Sequence, residues 1–443
     1  MNNHCDCRAV TPSFDKLRNK AAATENNIAA AVIRQPYNTK NVFYWTNFLF
    51  LCPKYSTMSK TIVNIIDKSN PMPAYLFTKE YYAEGDTLLF ISTEEESDCI
   101  QLLARQLEVD ETLVKSIIVK RHEDKMLYEY ICRTIKSELD PNTQYYLNLA
   151  GGNRYMTLSV QHVFEEFNTL FFYTQTRENL IVKTIFDHSI YDDDDEVYPI
   201  KHRMTLKEYF GLYGLQSDVD EPRKQVKETA FSQHLFTMFS QNMFGRGDYQ
   251  VMETLREKYR NWKFLIISEV ENPHKEFMTP IPNLSKFLNY IGFVPERPGS
   301  LQSYEIEYLT GGWFEEYVYA LIKNVLQPDN IAMGVHISNG IIKHNNELDV
   351  CFIKANKLFV IECKTGVTSE SLFNEIVYKV CALKEVLLGT SNSYIFSLKK
   401  DHKGNWKKTA KYMGITFCDW LNLTKPELLK NILKSMDKIA KES

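Results

Sequence analysis

Two apolar runs, Asn346–Lys354 and Lys357–Cys363, flank the dipeptide Ala355-Asn356, and this arrangement constrains the chain more than any other segment. Both runs are rich in Val, Ile, Phe and Leu, and the two-residue connection predicts a β-hairpin of adjacent antiparallel strands. Acids are depleted in strands, yet Glu347 and Asp349 lie on the first run and Glu362-Cys363-Lys364 ends the second. Side chains alternate along a strand, so Glu347 and Asp349 share a face, as do Glu362 and Lys364. Three acids and a lysine are thereby expected at one end of a buried sheet. A surface ion pair at the strand ends is the plainer account. A charged Glu-x-Lys directly after the apolar Leu358–Ile361 favours a reactive site.

Hard divalent ions such as Mg²⁺ or Mn²⁺ take a few carboxylate oxygens and keep positions for water and phosphate. Asp349 and Glu362 are the candidate ligands, with the backbone carbonyl of Cys363 as a third oxygen. Lys364 would hold and polarise a water aimed at phosphorus, while the metal neutralises charge on the phosphate oxygens. Asp349, followed thirteen positions on by Glu362-x-Lys364, resembles the PD-(D/E)xK nuclease superfamily, with Leu348 where Pro is usual.

The stretch from Gly311-Gly312-Trp313 to about Leu326 predicts an amphipathic helix, with Phe314, Val318, Leu321 and Val325 at helical spacing. It matches the N-terminal helix of that superfamily, and the resemblance implies that Glu315 or Glu316 faces the metal. Compensation of the helix dipole accounts for the two acids equally well. Ser369 to Leu388 predicts another helix, with Leu372, Ile376, Val380, Leu383 and Leu387 on one side. Lys379, on a different face, is either a phosphate contact or an ordinary solvated lysine. From Lys399 onward eleven lysines stand against five acids, with Lys399-Lys400 and Lys407-Lys408 flanking Trp406. This suits a nucleic-acid backbone with occasional base stacking, and also a soluble helix surface.

The first half predicts strands at Thr61–Asp67, Thr87–Thr93, Lys115–Lys120 and Gln144–Ala150, with the clearest helices at Glu96–Leu107 and Asp124–Leu139. Strand, helix, strand favours a parallel doubly wound sheet, whose ligands bind at the carboxyl ends of the strands. Those ends carry Ser69-Asn70-Pro71, Ser92-Thr93 and Gly151-Gly152-Asn153-Arg154. No glycine lies between Thr61 and Tyr82, which argues against a dinucleotide cofactor in the usual place. The loop after Ala150 is different. Two glycines let backbone approach a ligand, Asn153 and Arg154 supply donors, and a helix beginning near Tyr155 points its N-terminus at an anion.

Strand, Gly-Gly-Asn-Arg-Tyr-Met, helix resembles the CRISPR-associated Rossmann fold, or CARF, whose members usually show Gly-Gly-Thr-Lys. Arg154 keeps the charge there, and Asn153 keeps a small polar group. Glu94, Glu95 and Glu96 sit awkwardly beside a phosphate ligand and suit compensation of the following helix dipole. A CARF-like sensor followed by this nuclease is similar to the type III CRISPR ancillary nucleases activated by cyclic tetra-adenylate, over roughly Met58 to the C-terminus. The resemblance implies a homodimer that shares one pocket for a cyclic oligoadenylate and closes a nuclease cleft on nucleic acid. Single-stranded RNA, single-stranded DNA and duplex DNA all remain open as substrates.

At 443 residues and 44% hydrophobic content the chain supports two or three cores. The expected division is an extension at 1–57, a CARF-like domain at 58–200, a mainly helical connector at 201–297 and the nuclease domain at 298–443. The connector would transmit ligand binding, with a small winged helix as the other reading and one apolar run at Phe264–Val270. The acidic Asp192–Glu196 is expected to be a solvated loop. A net charge of −4 makes any nucleic-acid binding local. Nine cysteines without a C-x-x-C give a disulfide framework or zinc site little support and fit a reducing cytoplasm. The apolar Val42–Cys52 is too short for a membrane span and does not follow a signal-peptide n-region. Met58-Ser59-Lys60 precedes the first strand directly, so Met58 is read as the natural start. Two other functions keep parts of this picture: a ligand-independent restriction or repair endonuclease, and a non-catalytic CARF-type regulator that clamps nucleic acid.

Overall fold

In the computed structural model the described residues are 59–120, 128–184, 196–221, 226–259, 263–267, 281–339, 346–366, 369–387, 391–401 and 404–441. The expectations for residues 1–57, including Val42–Cys52 and the start at Met58, lie outside them, as do Asp192 to Asp195.

The N-terminal half is a seven-stranded sheet in the order β3-β2-β1-β4-β5-β6-β7. Its strands are β1 (Thr61–Ile65), β2 (Thr87–Thr93), β3 (Val114–Val119), β4 (Tyr145–Asn148), β5 (Thr169–Gln175), β6 (Leu180–Thr184) and β7 (Glu196–Pro199). Strands β1 to β5 pair in parallel, as the strand–helix alternation predicts, whereas β6 and β7 return antiparallel. Strands β6 and β7 extend the parallel sheet on one side, antiparallel because the turn from β5 to β6 is too short for a crossover helix. Helices α1 (Met72–Tyr81) and α2 (Asp98–Leu107) cover one face, while α3 (Tyr128–Lys136) and α4 (Arg154–Phe164) cover the other.

Helix α5 (Leu206–Leu212) follows, held at its start by a Thr205–Glu208 capping box. Strand β8 (Gln216–Ser217) then joins the second large sheet, ordered β15-β14-β13-β12-β11-β8. Between them in sequence come α6 (Thr229–Ser240), α7 (Arg246–Thr254), a π-helical turn at Leu255–Tyr259, β9 (Phe264–Ile266) and α8 (Leu284–Ile291). Of the apolar run at 264–270, Phe264–Ile266 pairs antiparallel with β10 (Ser300–Gln302). Next are α9 (Ser303–Glu307), a second π turn at Tyr308–Gly312, α10 (Trp313–Leu326), β11 (Asn330–Ser338), β12 (Asn346–Lys354) and β13 (Lys357–Lys364). Helix α11 (Glu370–Val386), β14 (Asn392–Ser397), α12 (Asn405–Tyr412), β15 (Thr416–Cys418), α13 (Trp420–Thr424) and α14 (Pro426–Lys441) complete the chain.

The predicted hairpin forms as expected, with Ala355 and Asn356 both at positive φ, 49° and 60°, as a two-residue turn requires. Period-two burial places its alternate residues in two cores. Val350, Phe352, Phe359 and Ile361 pack with α10, α14 and the helices between residues 226 and 293. Cys351, Ile353, Leu358 and Val360 pack into the cluster that contains Ile62, Phe90 and the buried residues of α1, α2 and α5. One hydrophobic core thus runs from the first sheet to the second, and the helical segment between them shares its core with the hairpin.

The hairpin turn is also bonded to the first sheet. Asn356 is 1% exposed; its Nδ2 donates to Asn179 Oδ1 at 2.7 Å and to the His202 carbonyl at 3.0 Å, and its Oδ1 accepts from Met204 N at 2.9 Å. Asn179, at the end of the β5–β6 turn, donates in turn to the Ile200 carbonyl. Replacing Asn356 by Ala removes these bonds and strains the positive φ, so urea unfolding should show a loss of about 3 kcal/mol. Asn356→Gly relieves the strain alone and should recover about 1 kcal/mol; an alanine variant as stable as the parent would show that the amide bridge contributes nothing.

Candidate nuclease site and sensor hollow

Strands β12 and β13 lie at the middle of the second sheet, which buries Asp349 and Glu362 to 5% and 1% exposure. Asp349 Oδ2 accepts from the backbone N–H of Cys363 at 2.7 Å and from Lys364 Nζ at 3.0 Å. The same ammonium reaches Glu362 Oε1 at 2.7 Å, and Lys379, from α11, donates to that oxygen at 2.8 Å. The two carboxylates and the lysine named from the sequence are therefore one cluster. Lys379 belongs to it through Glu362 and is more than a solvated lysine. On β11, Met333 pairs with Val350 and Val335 with Leu348, so Gly334 stands across from Asp349 with φ of 61° and no side chain to cover it.

Burial and the neighbouring Glu362 raise the carboxyl of Asp349 above its ordinary range. Burial acts in the same direction on Glu362, but the ammonium groups of Lys364 and Lys379 overcome it and lower that carboxyl. Lys364 keeps its proton despite desolvation because both carboxylates face it. Glu315, in the first turn of α10, is half-buried, and burial followed by the charge of Asp349 pushes it up to about 8. Glu316 is instead buried and accepts from the Tyr308 hydroxyl at 2.7 Å. Of the two acids, it is Glu315 that feels Asp349, Lys364, Glu347 and Glu362.

Glu362 Oε2 is buried and has no hydrogen-bond partner, a costly state for a carboxylate oxygen unless a cation fills it. That orphaned oxygen fits a divalent ion beside Asp349. Among the described residues no three His, Cys, Asp or Glu side chains form a metal cage. Two carboxylates supplemented by backbone, water and substrate oxygens are what Mg²⁺ usually accepts. The Cys363 thiol is pushed well up by burial, so only its backbone carbonyl suits such an ion.

A cleft of about 560 Å³ opens over the cluster, lined among others by Glu307, Glu315, Glu347, Lys364 and Thr365. It also contains Arg256, from the π turn after α7, which sequence reasoning passed over because nothing in the local pattern marks an arginine that arrives from another segment. Trp406 is placed differently from its expected exposure to bases. Its ring stacks on Phe373 at 5.1 Å and meets Phe417 edge-on, closing the small core under α11 and α12, because an indole covers more apolar surface than the lysines beside it can.

In the first sheet, a hollow of about 350 Å³ lies at the carboxyl ends of the strands, lined by Asn70, Gly151, Gly152, Tyr173, Thr176 and Arg177, among others. Buried Asn148 organises it: its Oδ1 accepts from Ala150 N and from both N and Oγ1 of Thr174, while its Nδ2 donates to Asn64 and the Pro73 carbonyl. Gly151 has a packing reason to be glycine, since a Cβ there would stand 2.0 Å from the Ile65 carbonyl oxygen. Asn153 caps α4 through its side-chain oxygen, accepting from Met156 N, and Arg154 is exposed at the first turn of that helix. Ser69 bonds to Asp67, Thr93 donates to Glu96, and Ser92 is buried with its hydroxyl unpartnered. Glu94–Glu96 form a 3₁₀ turn leading into α2, consistent with dipole compensation. The β5–β6 turn, which supplies Thr176 and Arg177, carried no motif and was missed. Among the described residues no helix is long and apolar enough to cross a membrane.

Comparison with known proteins agrees with this architecture. Residues 61–209 match the Card1 CARF domain, and residues 302–416 match the Card1-like endonuclease domain. No curated protein matches the chain. Protein VC1899 from Vibrio cholerae shares the fold with a TM-score of 0.66 at 17% identity, over 87% of this chain and 99% of that one. Can2 from Sulfobacillus thermosulfidooxidans, solved in complex with cyclic tetra-adenylate, shares it with a TM-score of 0.61 at 21% identity, over 84% of this chain and 99% of that one. With a Card1 CARF domain followed by a Card1-like endonuclease domain on a single polypeptide, the chain belongs to the CRISPR-associated CARF nucleases.

Proposed function

We propose that the protein is a cyclic tetra-adenylate-activated, divalent-metal-dependent endonuclease that hydrolyses phosphodiester bonds of RNA or DNA in type III CRISPR defence. The observation that carries this reading is the buried pair Asp349 and Glu362, the latter with an unpartnered oxygen, beside Lys364 in an acid-lined cleft. Asp349, Glu362 and the Cys363 carbonyl would hold Mg²⁺ or Mn²⁺, which when bound offsets charge developing on the phosphate oxygens. Lys364 has its ammonium between the two carboxylates, from where it would orient and polarise the attacking water. Glu315, kept largely protonated by burial and Asp349, would add a further oxygen or take the water's proton once it is ionised.

The activator would occupy the hollow beside Gly151 and Gly152, with Arg154, Arg177 and the start of α4 offering positive charge to its phosphates. A cyclic tetranucleotide is larger than a hollow of about 350 Å³ encloses, which supports two copies meeting over one ligand. Thr176 and Arg177 share the β5–β6 turn with Asn179, and Asn179 bonds to Asn356 at the tip of the hairpin that carries Asp349 and Glu362. This turn is therefore one bonded route from the hollow to the hairpin.

Cleavage of labelled single-stranded RNA, single-stranded DNA and supercoiled plasmid, with and without cyclic tetra-adenylate and Mn²⁺, tests the reading. Cutting should require both ligand and metal. Asp349→Ala or Glu362→Ala should reduce it at least 10³-fold, on the order of an essential electrostatic group, while ligand binding stays intact. Arg154→Ala should raise the activator concentration needed. Undiminished cutting by both carboxylate variants would remove the site, and cutting without ligand would point to a restriction or repair enzyme.

A second test uses pH. Glu315 has a folded pKa near 8, above its ordinary value of 4.5, so between those values the folded state holds a proton that the unfolded state has lost. Stability of metal-free protein should therefore fall as pH rises through that window, by on the order of 3–4 kcal/mol from this group. Glu315→Gln should flatten the fall, as read by urea titrations in EDTA at pH 5 to 8; an unchanged slope would show that Glu315 ionises normally.

A further inference from the structure

Beside the nuclease cleft lies a second, mainly aromatic hollow of about 330 Å³. Arg256, Thr365 and Gly366 line both spaces, so the hollow and the cleft are neighbours across one shared wall. Bonds hold that wall in place: Arg256 Nη2 donates to the Thr310 carbonyl at 2.9 Å and to Thr365 Oγ1 at 2.8 Å. Thr365 directly follows Lys364, and Trp313, which lines the hollow, lies two residues before Glu315. The hollow is therefore built on the two segments that deliver Lys364 and Glu315, and α7 adds Tyr249 and Met252 to it.

Its lining suits a flat ring. Phe244 and Trp313 are buried, Met252 is half-buried, and Tyr249, whose ring meets Phe244 edge-on at 6.0 Å, keeps 42% of its surface exposed. An aromatic ring left open beside an apolar hollow is a stacking platform for a base of any identity. The volume is at the small end of ligand pockets, as a single planar group requires. Lys399, exposed in the same lining, begins the basic C-terminal stretch and supplies positive charge for a backbone phosphate. The cleft next door is different: Glu307, Glu315, Glu316 and Glu347 in its lining disfavour a hold on the strand through phosphates alone.

We propose that this hollow is a base pocket of the nuclease. An unpaired base of the substrate, next to the phosphodiester being cut, stacks on Tyr249 among Phe244, Met252 and Trp313, with Lys399 on its backbone. The inference rests on the nuclease reading above and deepens it: a base inside a duplex reaches such a pocket only after it is unpaired and unstacked, so the pocket favours single strands.

The test is binding of labelled single-stranded oligonucleotides to the full chain with saturating cyclic tetra-adenylate in EDTA, by anisotropy across a KCl series. A base-bearing strand is compared with an abasic strand of the same length, each as DNA and as RNA. The parent should hold the base-bearing strand about tenfold more tightly. Tyr249→Ala should remove that preference by weakening the base-bearing strand alone, with its salt slope unchanged. Tyr249→Phe should keep the preference, since it is the ring that stacks. Lys399→Gln should lower the slope of log Kd against log [KCl] by about 0.7 for both strands, and an unchanged slope would take Lys399 out of the contact. A purely structural role for Tyr249 would weaken both strands together. That result, or a parent with no preference for bases, overturns the inference while leaving the nuclease reading in place. A parent that neither binds nor cuts any of the nucleic acids overturns that reading and the inference with it. Should Tyr249→Ala fail to fold, Met252→Trp, which fills the hollow instead of opening it, is read by the same comparison of strands.

Discussion

A single ammonium group, that of Lys364, makes the centre of the second sheet possible. Asp349 and Glu362 are buried on adjacent strands, and two carboxylates at that depth repel one another and lack water. Lys364 bonds to both and Lys379 shares the load at Glu362. Removing one partner from such a buried cluster usually costs more than the cluster contributes as a whole, because the remaining charge is left uncompensated. The balance is incomplete by one oxygen, Glu362 Oε2, and the incompleteness is informative. A core tolerates an unpartnered carboxylate oxygen when something else is meant to reach it, and a divalent ion is the group that this donor set suits.

The same hairpin that carries the charges is anchored to the CARF domain in two ways. Its odd-numbered β12 residues, Cys351 and Ile353, pack in a core continuous with β1, β2 and α5, and its turn is bonded through Asn356 to Asn179 and the backbone at His202 and Met204. A hydrophobic core conveys displacement only where its packing has discrete alternatives, whereas a directional amide pair is either made or broken. The two together give the hairpin a fixed seat and a point at which the β5–β6 turn bears on it. The helical segment after residue 226 plays a different part, sharing its core with α10 and contributing Arg256 to the cleft rim.

Much of this was legible in the sequence, and for identifiable reasons. The hairpin was readable because Ala355-Asn356 leaves so short a connection, and the acids stood out because an apolar strand seldom carries them. Helix α10 showed its period only in part, since Phe314 and Val318 are buried whereas Val325 is 56% exposed and Ile322 and Leu326 take the inner face instead, and the Gly-Gly after β4 announced a close approach, which is to Ile65. Trp406 misled because its basic neighbours suggested a surface role, while Phe373, thirty-three positions away, offered a better partner. Asn153 reads as a donor in the chain and serves as a helix cap in the fold.

Local chemistry alone thus determined that this chain has a hairpin with Asp349, Glu362 and Lys364 at one end, and a strand–loop–helix around Gly151-Gly152 in its first half. Those features depend on neighbours in sequence: alternation along a strand, turn length, and helix periodicity. Only the tertiary structure decided which first-turn glutamate faces the cluster, that Lys379 joins it, that Arg256 enters the cleft, and that Asn179 meets Asn356. Each of these joins residues far apart in the chain, and whether two such residues touch is set by how sheets and helices pack, which no local pattern encodes.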